Sequence, residues 1–137
     1  MVAVINNEAI EIGIVVRDPE KALTFYRDVL GLPYLGDLEF PGTHMWRFGA
    51  GGSVVKLLAL EPAPQDSNPP GSVPAAGFRY LSLFVSNIEE LVNECAAFGC
   101  AIATPVTEFR PGARFAFVED PEGNRIELLD VAGLTAA

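Results

Sequence analysis

Residues 11–31 read EIGIVVRDPEKALTFYRDVLG, and residues 80–99 read YLSLFVSNIEELVNECAAFG. In the first stretch Ile12, Ile14 and Val16 alternate with Glu11, Gly13 and Val15. That period of two marks a strand with one face turned to a core. Leu81, Leu83 and Val85 alternate with Tyr80, Ser82 and Phe84 in the same manner. Each strand then meets a helix-start signal. Asp18 precedes Pro19, an N-cap followed by a proline at the first helical position, and Asn87 stands at the matching place before Ile88. The first predicted helix carries Ala22, Phe25, Tyr26 and Val29 at helical spacing and stops at Gly31. The second carries Leu91, Val92, Cys95 and Phe98 and stops at Gly99.

The likeness continues outward. After each helix comes an irregular stretch, containing Phe40-Pro41-Gly42 in one half and Phe109-Arg110-Pro111-Gly112 in the other. Two strands in hairpin follow: Met45 to Phe48 into Val54 to Leu60, and Arg114 to Val118 into Arg125 to Leu129. Their turns, 49–52 and 120–124, are rich in residues that tolerate a left-handed backbone. Glu11 then aligns with Tyr80, Asp18 with Asn87, Gly42 with Gly112 and Lys56 with Glu127, with single-residue slips. The chain therefore reads as a β-α-β-β-β unit written twice, an α+β fold. Module 1 covers about 9–61 and module 2 about 78–131, within a single domain over 1–137. The linker 62–77 holds Pro62, Pro64, Pro69, Pro70 and Pro74, and residues 133–137 read as a loose tail.

Composition narrows the function. At 137 residues, half of them apolar, the chain suits one compact domain with a real core. Nine basic against eighteen acidic residues give a net charge of −9, and Lys21 and Lys56 are the only lysines. A partner that tracks phosphates needs a basic stripe, so neither nucleic acid nor an anionic membrane surface is expected. No apolar run reaches the roughly 18 residues of a membrane span. Residues 1–10 lack a signal-peptide pattern, so the expected location is cytoplasmic. Cys95 and Cys100, five apart in one helix, point to different faces and read as reduced thiols. His44 is the only histidine, so any metal site must be built almost without imidazole.

The segments 12–32 and 120–128 resemble the vicinal-oxygen-chelate superfamily, which includes glyoxalase I, bleomycin-resistance proteins, fosfomycin-resistance enzymes and extradiol dioxygenases. The likeness covers nearly the whole chain outside the linker and tail. It implies that each module curls a four-stranded sheet into half of one cup-shaped mixed β-barrel, with the helices outside and a single cavity. It also implies four inward positions that close on a divalent ion in metal-using members, one from the first and one from the last strand of each module. Carried onto this chain they are Glu11, Lys56, Tyr80 and Glu127. Only the two glutamates suit a hard cation, because a protonated ammonium has no lone pair and Tyr80 would coordinate only as phenolate. No metal and no other cofactor is therefore expected.

Strand alternation places side chains independently of the family. Val55, Leu57 and Ala59 should face the helices, leaving Val54, Lys56 and Leu58 inward. Ile126 and Leu128 likewise turn outward from the cavity, leaving Arg125, Glu127 and Leu129 inside. A lysine in an apolar strand needs a counter-charge, and Glu11 and Glu127 are the natural partners. The set reads either as a structural ion pair or as a pair that leaves one carboxylate free to move protons. Tyr80 is either a core aromatic or a hydrogen-bond donor to an oxyanion. Met45 and Arg47 should point into the cavity opposite Phe115 and Phe117. Arg47 is there a clamp for an anionic or carbonyl-bearing ligand, or a surface arginine at the barrel mouth. His44 begins that strand and reads as a rim residue.

Three functions remain open. The first is a metal-independent lyase or isomerase acting by proton transfer next to a carbonyl, with Glu11, Lys56, Tyr80 and Glu127 as the catalytic set. The second is a non-catalytic protein that binds a small antibiotic-like compound. The third is a metal-dependent lyase or dioxygenase. A small-molecule ligand is common to all three, and a homodimer is the expected assembly.

Overall fold

A computed structural model describes residues 2–67 and 76–132; part of the predicted linker and the tail 133–137 lie outside the described residues. The first module comprises β1 (Glu11–Val15), α1 (Pro19–Leu23), β2 (Tyr34–Phe40), β3 (Thr43–Ala50) and β4 (Ser53–Leu60). The second comprises β5 (Tyr80–Phe84), α2 (Ile88–Phe98), β6 (Ile102–Arg110), β7 (Ala113–Glu119) and β8 (Arg125–Val131). The strands form two separate four-stranded sheets, ordered β1-β4-β3-β2 and β5-β8-β7-β6. In each, the first strand runs parallel to the last and the remaining pairs are antiparallel. The helix provides the crossover that parallel pairing needs. The duplicated β-α-β-β-β fold is what the sequence predicts, although among the described residues no strand pairing joins the two sheets into one hydrogen-bonded barrel.

Local signals account for the helices. The Asp18 carboxylate accepts the Lys21 backbone N–H at 3.2 Å, capping α1. Gly99 ends α2 with a left-handed backbone, φ 102°. The first helix departs from expectation after Leu23, where Thr24–Val29 is a π-helix. Within it the adjacent rings of Phe25 and Tyr26 are both buried in the core. The strand that the β-α-β-β-β repeat calls for after each helix, β2 or β6, runs into the stretch read as irregular. Each is an edge strand broken by register shifts, at Tyr34/Gly36 and at three places along β6. Such bulges erase the period of two on which a strand is recognised.

One hydrophobic cluster serves both modules. Val16, Phe25, Tyr26, Phe48, Val55 and Leu57 join Ile88, Cys95, Val118, Ile126 and Leu128 in it. Burying a side chain such as Leu57 or Leu128 contributes about 1.5–3 kcal/mol. Phe25 meets Phe98 of α2 with ring centroids 6.3 Å apart. The join between the modules thus runs through the helical layer, while the opposite faces of the two sheets carry the candidate site. Among the described residues, no helix is long and apolar enough to cross a membrane.

Candidate functional site

Register defines the uncovered face of each sheet. On the first sheet Glu11 lies opposite Val54, and Gly13 opposite Lys56. Lys56 in turn lies opposite Arg47, and Leu58 opposite Met45. These residues share the face turned away from buried Val55 and Leu57. On the second sheet Tyr80 lies opposite Arg125, Ser82 opposite Glu127, and Glu127 opposite Phe117. Their face is turned away from buried Ile126 and Leu128. The inward positions expected from alternation are therefore the ones on these two faces.

Lys56 Nζ stands 3.2 Å from Glu11 Oε1, with the lysine side chain 27% and the glutamate 50% exposed. Glu127 is held differently: the Ser82 hydroxyl donates to its Oε1 at 2.7 Å. Of the two glutamates named as partners for Lys56, Glu11 makes the ion pair. Tyr80 packs edge-on against Phe117, with centroids 5.2 Å apart and planes at 88°. Phe117 meets Phe115 at 6.0 Å, and Phe115 meets Phe109 at 5.8 Å. The Arg125 guanidinium lies 5.9 Å from the Phe117 ring centre, and its buried Nε, 3.7 Å from Glu119 Oε2, has no hydrogen-bond partner among the described residues. The second sheet thus offers an aromatic floor with a carboxylate, a hydroxyl and a cation above it.

Of the predicted set, Glu11 and Lys56 come together on one sheet with Met45 and Arg47, and Tyr80 and Glu127 on the other with Phe115 and Phe117. No hydrogen bond or ion pair links the two groups among the described residues. Ser82, Phe84 and Phe109 were not among the predicted site residues. Ser82 and Phe84 share the parity of Tyr80, so alternation alone could have found them, whereas bulges along β6 hide Phe109.

The other singled-out residues lie elsewhere. The His44 ring stacks on Trp46 at 4.2 Å, and its Nε2 is 2.6 Å from Asp37 Oδ2. Together with Glu39 and Glu61 these two rings line an open hollow of about 350 Å³ at the turn end of β2 and β3, which Lys56 does not reach. Cys95 lies in α2 but Cys100 falls beyond its Gly99 cap, so, against expectation, the two do not share a helix; both are free, and burial pushes their thiols up to about 11 and about 12.

Residues 9–128 match the family model of the Glyoxalase/Bleomycin resistance protein/Dioxygenase superfamily. No curated protein matches the chain. Among solved structures, a glyoxalase family protein from Bacillus cereus superposes with a TM-score of 0.77 at 19% identity, covering 95% of both chains. The trypanothione-dependent glyoxalase I of Leishmania major gives 0.70 at 25% identity, over 88% of this chain and 84% of that one. The fosfomycin resistance protein FosX from Mesorhizobium loti gives 0.62 at 14% identity, over 93% and 91%.

Proposed function

Because the chain belongs to the Glyoxalase/Bleomycin resistance protein/Dioxygenase superfamily, we propose that it is a lyase or isomerase working without a divalent metal on a small carbonyl-bearing compound. The observation that carries this reading is the ion pair of Lys56 with Glu11. The donor set does not fit a divalent ion. Lys56 has no lone pair to give and occupies Glu11, while a tyrosine hydroxyl is a far poorer ligand for a hard cation than a carboxylate. What remains at these positions is acid–base chemistry.

Glu127 is the base in this scheme. Ser82 fixes one of its oxygens, leaving the other to take a proton from carbon next to the carbonyl. The Lys56 ammonium and the Tyr80 hydroxyl donate to the oxyanion that develops. In an isomerase the proton returns to the neighbouring carbon; in a lyase the electron pair expels a leaving group instead. The cup is completed by a second copy, sheet one of one chain facing sheet two of its partner. Supporting this, Val15 and Leu38 on the first sheet are 45% and 50% exposed, and Tyr80 and Phe84 on the second 56% and 47%. The net charge of −9 argues against nucleic acid as a partner, and the unreactive free thiols suit a cytoplasmic setting.

The test is hydrogen–deuterium exchange next to the carbonyl of aromatic α-hydroxyketones, followed by NMR with chelator-treated protein. Exchange should persist in chelator, and Glu127→Gln should slow it by about a hundredfold. Exchange that needs an added divalent ion would overturn the metal-free chemistry. No exchange with retained binding would leave the second reading, a non-catalytic binding protein, which the aromatic floor of exposed Tyr80 and partly buried Phe115 and Phe117 favours.

A further inference from the structure

We propose that the compound held in the cup carries a carboxylate, and that Arg47 together with Lys56 is its clamp. This rests on the reading of the uncovered faces as a ligand site. Across the first sheet one row of register partners runs Gly13, Lys56, Arg47, Gly36. Two cations stand side by side at its centre. Like charges directly opposite each other on neighbouring strands are unfavourable unless an anion is shared between them. In a chain with nine basic and eighteen acidic residues, chance composition does not favour such a pair.

Lys56 is partly satisfied by Glu11. Arg47 is half-buried, yet among the described residues its guanidinium makes no ion pair and no hydrogen bond. Among the described residues four other arginines have carboxylate partners, Arg17 with Glu122, Arg27 with Asp28, Arg114 with Glu89 and Asp130, and Arg125 with Glu119, while Arg79 and Arg110 form no ion pair. At one end of the row Gly36 takes a φ of +111° at the β2 bulge, and a side chain built there would meet nothing within 4 Å, so the space beside Arg47 is open; at the other end a Cβ on Gly13 would already touch Leu58 at 3.4 Å.

The neighbouring row supplies the rest of the ligand's description. Val15, Leu58, Met45 and Leu38 are register partners, and all four are apolar. A molecule lying across both rows needs an apolar body with one anionic end. Arg47, Lys56 and Glu11 together carry one net positive charge, which matches a monoanion better than a phosphate. The planar guanidinium fork also matches the two oxygens of a carboxylate.

Calorimetric titration with 2-naphthoate, 2-naphthamide and 2-naphthylmethylamine tests this. Naphthoate should bind at least about tenfold more tightly than naphthamide, the scale of hydrogen bonds to a charged group. Arg47→Gln should remove that advantage, bringing naphthoate and naphthamide to similar affinities. Arg47→Lys should keep only part of it, because charge without the fork loses bidentate pairing. The melting temperature of ligand-free Arg47→Gln should equal or exceed that of the parent, whereas an arginine with a structural role would lower it. Equal binding of acid and amide, or preference for the amine, would overturn the carboxylate clamp and leave the cup reading standing. No binding of any of the three would overturn both.

Discussion

The Tyr26 hydroxyl, from the π-helical turn of module 1, donates to Asp120 Oδ2 of module 2 at 2.7 Å. Both residues are buried. Asp120 also accepts the backbone N–H groups of Glu122 and Asn124 and the Asn124 side-chain amide. One carboxylate thereby closes the β7–β8 turn and ties it to the other module. Two residues on, Glu122 accepts the backbone N–H groups of Arg17 and Asp18 and the Arg17 guanidinium. The Asp-Pro-Glu-Gly-Asn run that carries the family resemblance is, in this molecule, the lock between modules.

Tyr26→Phe should therefore destabilise the whole chain rather than loosen one module. Burial first, then the Asp120 charge and hydrogen bond, push the Tyr26 phenol well above its ordinary value, so it stays a donor throughout the accessible pH range. Removing a buried hydrogen bond to a charged acceptor costs about 1.5–3 kcal/mol. Urea unfolding of the variant should stay a single transition with a lower midpoint. Two transitions would mean that the modules fold independently.

Glu122 sets an acid limit. Burial raises its carboxyl, but hydrogen bonds from Arg17, Ser67 and the Asp18 and Arg17 backbone outweigh this and hold it below 4.5, the ordinary value. A carboxyl depressed in the folded state stabilises fully above its unfolded value and loses that contribution as pH falls through the folded one. Stability should hold from pH 7 down to about 5 and then decline. Glu122→Gln should flatten that decline and lower stability at pH 7. An unchanged acid limb in the variant would show that this carboxylate does not contribute.

Strand parity made one side of this molecule legible in advance. Lys56 between Val55 and Leu57, and Glu127 between Ile126 and Leu128, are fixed to one face by a period of two and need no tertiary knowledge. Contacts distant in sequence carry no such mark: nothing in the chain announces that Tyr26 meets Asp120, 94 positions away. The β-α-β-β-β repeat calls for a strand after each helix, but bulges and, in β6, Pro105 break the alternation that would have given β2 and β6 their bounds. Whether two half-cups meet within one chain depends on how the helices pack between the modules, and periodicity is silent on that.

Metal content follows from Lys56. Protein purified without chelators should contain far less than one zinc, nickel, manganese or iron ion per chain by elemental analysis, and chelation should not move its melting temperature. The Glu11–Lys56 pair is half exposed, so Lys56→Met should cost only about 1 kcal/mol. One ion per chain, lost together with stability on chelation, would overturn the metal-free reading.

Assembly is the sharpest consequence of the exposed sheet faces. Phe25 packed on Phe98, Tyr26 bonded to Asp120 and Glu122 bonded to Arg17 commit the helical layer to joining the modules of one chain. Val15, Leu38 and Phe40 on one sheet, and Tyr80, Phe84 and Phe109 on the other, then stay open. Apolar faces of this extent mark interaction surfaces. The two faces differ: one centres on Arg47 and Lys56, the other on Glu127 and an aromatic floor. A twofold axis that sets one against the other covers both and builds two equivalent cups. Sedimentation at high micromolar concentration should give the mass of two chains. Phe84→Asp, which puts a charge into the shared cup wall, should shift that mass toward a single chain while leaving the helical core and its circular dichroism intact. A single-chain mass for the parent protein would overturn the composite cup.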